Sequence, residues 1–223
     1  ITVTIATTDR PNRAAHLADC LAGLTAQTVQ DFEVRICDNG SPKDARLKQA
    51  ALRKAFPALD IHVHTQTDAS IPKARNLITA KARGFYIAVH DDDDISLPTR
   101  FEEQLDCMAR AAHAHGCHGA WIEFDEPSGH LTSNYGDVLA RFRYDETLVL
   151  SSDHDLHTRM TLAGLRVAHT GRFQYLRRLH RASVSTTGAA TQRGTSDKAN
   201  RAYKYFVGVP FLAGVRAERD EVP

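Results

Sequence analysis

Residues 84–94 read Gly84-Phe85-Tyr86-Ile87-Ala88-Val89-His90-Asp91-Asp92-Asp93-Asp94, an apolar, β-prone run that stops on four consecutive carboxylates. The apolar half has the composition of a buried strand, so the acidic half sits where that strand must emerge. Four adjacent anions repel one another, and holding them at the mouth of a buried strand is costly unless cations or hydrogen-bond donors offset the charge. Carboxylate oxygens are hard ligands that suit Mg²⁺ or Mn²⁺. A solvated acidic loop capping the next helix accounts for one or two Asp residues, but accounts poorly for four. The stretch is read as a strand that ends in a metal or phosphate site.

Upstream of it, apolar strands and helical periodicities alternate. Residues 1–6 are apolar and β-branched and are broken by residues 7–11; Leu17, Leu21 and Leu24 then recur at helical spacing. Residues 32–37 form a second strand ended by Asp38-Asn39-Gly40-Ser41, which is turn chemistry. Residues 43–56 predict a helix, 60–64 a strand, 71–82 a helix and 85–89 the strand before the acidic cluster. This alternation implies a parallel sheet with right-handed crossovers. Ligands of such sheets bind at the carboxyl ends of the strands, so residues 7–10, 38–41 and 91–94 are expected along one edge.

Downstream, residues 98–115 predict a helix with Pro98 near its first turn, 118–124 a strand, and 125–137 a polar stretch without period. Residues 153–163 predict a short helix, and 165–169 and 173–180 two separate strands. Residues 186–198, TTGAATQRGTSDK, are expected to form a mobile loop. Gly188 and Gly194 permit unusual backbone angles, and Arg193 or Lys198 is in a position to reach phosphate if the loop closes as a lid.

The 223 residues suit one α/β domain, and the net charge of +1, with both signs mixed along the chain, gives no bulk grip on nucleic acid or anionic lipid. Cys20, Cys37, Cys107 and Cys117 lack zinc-ligand spacing and read as free thiols of a reducing cytosol. No signal peptide is visible, and no apolar run reaches bilayer length. The run at 206–215 is interrupted by Gly208, Pro210 and Gly214 and reads as a packed C-terminal segment. The expected location is the cytoplasm, with peripheral attachment to the inner face of a membrane compatible. The chain opens without methionine directly on a strand, which leaves room for a longer protein around it.

The ordered set TTDRPNR, FEVRICDNGS, IPKARN, GFYIAVHDDDDISLPTRFE, DETLVLSSDHDLHTRMTLAGLRVAH and YLRRLHRASVS resembles the family 2 glycosyltransferases of the GT-A fold. The resemblance implies a single Rossmann-like α/β domain over residues 1–185, with a mostly parallel central sheet flanked by helices and a small C-terminal β and loop region. Its nucleotide half is expected at about 1–97 and its acceptor half at about 98–185, followed by the loop and C-terminal segment 186–223. It further implies a metal-dependent, inverting transfer of a hexosyl or N-acetylhexosaminyl group. The donor is a nucleotide-diphosphate sugar and the acceptor a saccharide or other hydroxyl, as in polysaccharide or glycoconjugate synthesis.

Residue by residue, the resemblance puts Thr7, Asp9, Arg10 and Asp38 at the nucleotide. A carboxylate accepts from the N3–H of uracil, so Asp38 suits a uridine or thymidine nucleotide, with UDP the first expectation. Arg75 of the ARN motif joins them; its plainer reading is a surface residue on an amphipathic helix. Asp91 and Asp93 are the paired acids of a DxD motif, with Asp91 facing ribose or metal, Asp93 on Mn²⁺ or Mg²⁺, and Asp92 the middle residue counted with the nucleotide contacts. Asp94 is a supporting acid. His180 is a further metal or diphosphate contact, with a structural role as the alternative.

Asp153 maps to the catalytic base, with Asp155 its nearest competitor and a plain helix cap its bland reading. Ser152 departs from the family pattern, which has an acid there. Trp121 suits an acceptor sugar or the core equally. His62 and His64 are expected on one strand face, and His113, His115 and His118 at a polar helix end. A nucleotide-sugar binding domain without turnover is the alternative. A sugar-1-phosphate nucleotidyltransferase is disfavoured, because the turn Thr7-Thr8-Asp9-Arg10-Pro11 has no glycine.

Overall fold

The first apolar run forms β1 (Thr2–Thr7), an inner strand of a parallel sheet, in a computed structural model that describes residues 1–111, 113–125, 131–135, 143–148 and 152–179. It is followed by α1 (Arg13–Thr25), β2 (Glu33–Asn39), α2 (Gln49–Ala55), β3 (Asp60–Gln66), α3 (Ile71–Thr79) and β4 (Ile87–Asp91). The strand order is β3-β2-β1-β4 with every pair parallel. The chain winds one way from β1 to β2 and β3, and the other way to β4. That reversal is a topological switch point, where open α/β sheets bind ligands. Register puts Thr7 opposite Asp38 and Ala6 opposite Asp91, so three strand ends finish side by side.

One face of the sheet carries Val3, Ile5, Val34, Ile36 and Ile61, and packs on Leu17, Leu21 and Leu24 of α1. On the opposite face Cys37 meets Ala74 and Ile78 of α3. Full burial of each such aliphatic side chain stabilises by about 1.5–3 kcal/mol. The chain then runs through β5 (Ile95–Ser96), α4 (Arg100–Arg110), β6 (Gly116–Asp125), β7 (Leu131–Tyr135), α5 (Ser152–Leu162) and β8 (Val167–Leu179). A second sheet has the order β5-β8-β6-β7, with β6 and β8 parallel and the other pairs antiparallel. Phe101 of α4 is buried in the first core. The acidic link between β4 and β5 therefore joins the two sheets.

Several sequence expectations change in detail. The helix expected over 43–56 is only Gln49–Ala55, because the preceding residues wrap around Asp38. The helix expected over 98–115 ends at Arg110, so His113, His115 and His118 do not share a helix end. His115 Nδ1 instead accepts from the Arg166 N–H at 3.2 Å, and the His118 and His169 rings meet edge to face across β6 and β8. The two strands expected over 165–180 are one, because Gly171 takes a φ of 70° without breaking the element. The aperiodic stretch after residue 125 contains β7. His62 and His64 do share a face, against Glu33 and Arg35. All four cysteines are free and buried. Among the described residues no helix is long and apolar enough to cross a membrane.

Candidate active site

The acidic link is a tight return from β4 to β5, and each of its carboxylates meets a different set of donors. Asp91 accepts from Arg75 Nη2 at 2.7 Å and keeps 57% of its side chain exposed. Asp92 is buried and accepts from the Thr7 hydroxyl and from Arg10 Nη2 at 2.8 Å. Asp93 pairs with the same Arg10 nitrogen at 3.2 Å. Asp94 is buried and accepts from the Arg178 backbone N–H at 3.0 Å, while Arg178 Nε donates to the Asp93 carbonyl at 3.0 Å. Arg178 also reaches Asp19 on α1 at 2.7 Å, tying the link to both sheets.

These surroundings separate the acids. Desolvation disfavours the charge of Asp91, but the charges and hydrogen bond of its neighbours, Arg75 first among them and Arg177 after it, together outweigh it and hold this carboxyl below its ordinary range. Burial dominates at Asp92 and pushes it up to about 6 despite Arg10 and Thr7. Burial, then the charges of Asp91 and Asp93, push Asp94 well above the carboxylate range. Asp91 is thus an anion open to a ligand, and Asp94 resists ionisation.

Beneath the link, His90 is buried with Nε2 2.7 Å from Ser96 Oγ and Nδ1 2.6 Å from the Asp91 carbonyl. Arg100 Nη1, which can only donate, points at the same Ser96 oxygen at 3.0 Å. The single hydroxyl proton therefore goes to His90 Nε2, and Nδ1–H donates to the Asp91 carbonyl. Burial and the Arg100 charge lower His90 to about 4, in keeping with that neutral ring.

At the end of β2, Asp38 is fully buried. It accepts from Arg13 Nη1 at 3.3 Å and from the Leu47 N–H at 2.6 Å, and Arg13 also donates to the Ala45 carbonyl and, at 2.9 Å, to Ser41 Oγ. A base reaches this carboxylate only if the 42–47 turn moves. Ser41 Oγ accepts from the Asp9 N–H at 3.0 Å, which ties the first two turns together. Gly40, with φ of 77°, lets the second turn pass against Ala69, where a Cβ would lie 2.8 Å from that side chain.

Across the crevice, Arg75 Nη1 donates to the Tyr144 hydroxyl at 3.2 Å, with its guanidinium 5.1 Å from that ring's centroid. Asp153 is exposed in the first turn of α5, and its charge acts on both Arg75 and Tyr144, so it borders the same crevice. Asp155 is held instead by Arg159 Nε and Nη2 at 2.8 Å. Ser152 is buried. Trp121 stacks on Tyr175 at 5.9 Å, with Arg177 over its ring. His180, Arg193, Lys198 and the 186–198 loop lie outside the described residues.

The donor set fits a small hard cation. Asp91 and Asp93 offer carboxylate oxygens on one short link, and a magnesium-type site needs only one or two carboxylates when substrate phosphates supply the rest. Glu33, Asp60 and His62 also cluster, but at the amino-terminal ends of β2 and β3. Arg35 and Arg83 already neutralise Glu33 there, at 2.9 and 2.8 Å, which suits a structural ion-pair network better than a metal.

Sequence reasoning missed Arg13, Asn76, Tyr144 and the role of Arg178. Asn76 was within sight, since it closes the IPKARN motif beside Arg75.

The parallel sheet with a ligand crevice at its switch point, joined through an acidic link to a mixed sheet, defines a GT-A type α/β protein. The family model described as Glycosyl transferase family 2 matches residues 3–182, and the chain belongs to that family. An uncharacterized glycosyltransferase of Methanocaldococcus jannaschii is 24% identical over 191 residues, covering 71% of this chain and 63% of that protein. The amylovoran biosynthesis glycosyltransferase AmsE of Erwinia amylovora is 32% identical over 111 residues, covering 50% of this chain and 41% of that one. The chain thus spans less than two thirds of the length of these relatives. The structure of S. aureus TarS 1–349 in complex with UDP-GlcNAc superimposes with a TM-score of 0.60 at 14% identity, covering 82% of this chain and 59% of that chain, a likeness of fold.

Proposed function

We propose that the chain is a metal-dependent, inverting glycosyltransferase that moves a hexosyl or N-acetylhexosaminyl group from a nucleoside-diphosphate sugar to an acceptor hydroxyl. The observation that carries this reading is convergence. Asp91 and Asp93 at the end of β4 and just beyond it, the turn after β1 and Asp153 at the start of α5 border one crevice, though they come from distant parts of the sequence.

In this reading Thr7, Asp9, Arg10, Asp38 and Arg75 serve the nucleotide, with Asp92 bracing Thr7 and Arg10. Asp91 and Asp93 hold Mn²⁺ or Mg²⁺. When bound, that ion stabilises the negative charge developing on the departing diphosphate. Asp153 takes the acceptor proton as the acceptor oxygen attacks the anomeric carbon from the side opposite the diphosphate, so the configuration inverts. UDP is the favoured nucleotide, supported by the acidic Asp38 and by the UDP-GlcNAc complex of the TarS neighbour. A saccharide acceptor and polysaccharide or glycoconjugate synthesis are supported by the amylovoran relative. Four unpaired cysteines suit a reducing, cytoplasmic setting.

The test is release of nucleoside diphosphate from a panel of UDP-, GDP- and dTDP-sugars with Mn²⁺, with and without saccharide acceptors. Release that needs the cation supports the reading. Thermal stabilisation by UDP without release under any condition would make the chain a binding domain instead, and the absence of both would remove the nucleotide altogether.

A further inference from the structure

Arg10 stands between Asp92 and Asp93, the second of which is one of the two carboxylates expected to hold the cation. Its Nη2 is shared unequally, 2.8 Å from Asp92 Oδ1 and 3.2 Å from Asp93 Oδ2. Its other terminal nitrogen, Nη1, is buried and has no hydrogen-bond partner among the described residues. A guanidinium does not shed its proton in a protein, so Arg10 cannot vacate Asp93 by becoming neutral. While it stays there it weakens the hold of Asp93 on a second cation, since two cations sharing one carboxylate repel. Asp92 anchors it meanwhile, with the Thr7 hydroxyl fixing the other Asp92 oxygen.

We propose that Arg10 is the resident cation of the donor-free site. It occupies Asp93 until a nucleoside diphosphate arrives, then yields Asp93 to the divalent ion, keeps Asp92, and turns its unpartnered Nη1 to a phosphate oxygen. The shorter bond is kept and the longer one given up. The buried N–H, costly while unpaired, gains an acceptor in the same motion. Cation and diphosphate then bind as a coupled pair, and the ion alone binds weakly. This exchange rests on the nucleotide-and-cation reading above and assigns its order to one side chain.

The experiment is titration of Mn²⁺, followed by electron paramagnetic resonance of the free ion, into the whole protein and into R10Q, each with and without UDP. Wild type is expected to bind Mn²⁺ at least about tenfold more tightly when UDP is present. R10Q is expected to bind Mn²⁺ alone about tenfold more tightly than wild type and to gain little from UDP. D93N added to R10Q should abolish that gain, which locates the ion.

Equal Mn²⁺ affinity of donor-free wild type and R10Q, with UDP strengthening both, overturns the exchange while leaving the cation site standing. Failure of either protein to take Mn²⁺ even with UDP removes the reading beneath it, and the exchange with it. If R10Q does not fold by circular dichroism, R10K decides. A lysine keeps the charge but cannot hold Asp92 and reach phosphate together, so its UDP coupling should be lost; full coupling in R10K overturns the proposal.

Discussion

Asn76 and Tyr144 exchange a reciprocal pair of hydrogen bonds: Asn76 Nδ2 donates to the Tyr144 carbonyl at 3.0 Å, and the Tyr144 N–H donates to Asn76 Oδ1 at 3.0 Å. The side-chain amide thus substitutes for a strand partner and fixes the segment before α5 against α3. Arg75, one residue earlier, uses the Tyr144 hydroxyl on one side and Asp91 on the other. Asn76 and Arg75 together therefore set the spacing between the acidic link and the start of α5.

Asn76→Ala leaves a buried N–H and a buried C=O without partners, at about 1–3 kcal/mol each. Together that is about 2–6 kcal/mol, so the melting temperature should fall by roughly 4–24 °C, at about 2–4 °C per kcal/mol for a chain of this size. Asn76→Asp should not rescue it, because the donor is lost and a second anion faces Glu146, which now accepts from Asn76 at 2.8 Å. Calorimetry showing an unchanged melting temperature for Asn76→Ala would sink the account.

At the opposite end of the sheet, Glu33 makes stability depend on acid. Its burial favours the neutral form, but donors from Arg35, the Arg83 backbone, Thr2 and the Arg83 side chain outweigh that and hold it down at about 2, against a usual 4.5. The folded state therefore binds fewer protons than the unfolded state between those values. The stabilisation is complete above pH 4.5 and is lost as pH falls toward 2. Glu33→Gln should cost on the order of 3 kcal/mol at pH 7. Urea unfolding at pH 7 and pH 3 checks this, and a gap between wild type and variant that does not narrow in acid rules it out.

The parallel sheet was legible because its strands are apolar runs that end on polar turns, a pattern that burial on both faces dictates. Asp91–Asp94 stood out because charge beside a buried strand needs an explanation, whereas Arg75 came only from the ARN motif of the family resemblance. The pairing of particular acids with particular arginines was not legible. Arg178 meets Asp19 across a separation of 159 residues and Arg13 meets Asp38 across 25, and no local pattern encodes either contact. Residues 43–48 are ordinary helix formers, yet the demand of Asp38 for the Leu47 N–H overrides their propensity. Residues 165–169 and 173–180 read as two strands, whereas Gly171, with its left-handed φ, lets one long strand run through.

Asp93→Ala should abolish cation-dependent transfer and the cation's effect on UDP affinity. Its carboxylate shares Arg10 with Asp92, which keeps the shorter contact, so the fold should survive and the melting temperature should change by only a few degrees. Turnover at the wild-type rate by folded Asp93→Ala would place the cation elsewhere.

Asp153 and Asp155 occupy the same first turn of α5 but differ in what holds them. Asp155 is gripped by Arg159 at 2.8 Å, whereas Asp153 is exposed on the side whose charge reaches Arg75 and Tyr144. Asp153→Asn preserves shape but cannot take up the acceptor proton, so turnover should fall roughly a hundredfold or more with little change in donor affinity. Asp155→Asn should instead lower stability by about 1 kcal/mol or less, since a half-exposed ion pair contributes little, and should leave turnover within a few-fold. Product released with the donor's anomeric configuration, or an inactive Asp155→Asn beside an active Asp153→Asn, would transfer the role of base away from Asp153.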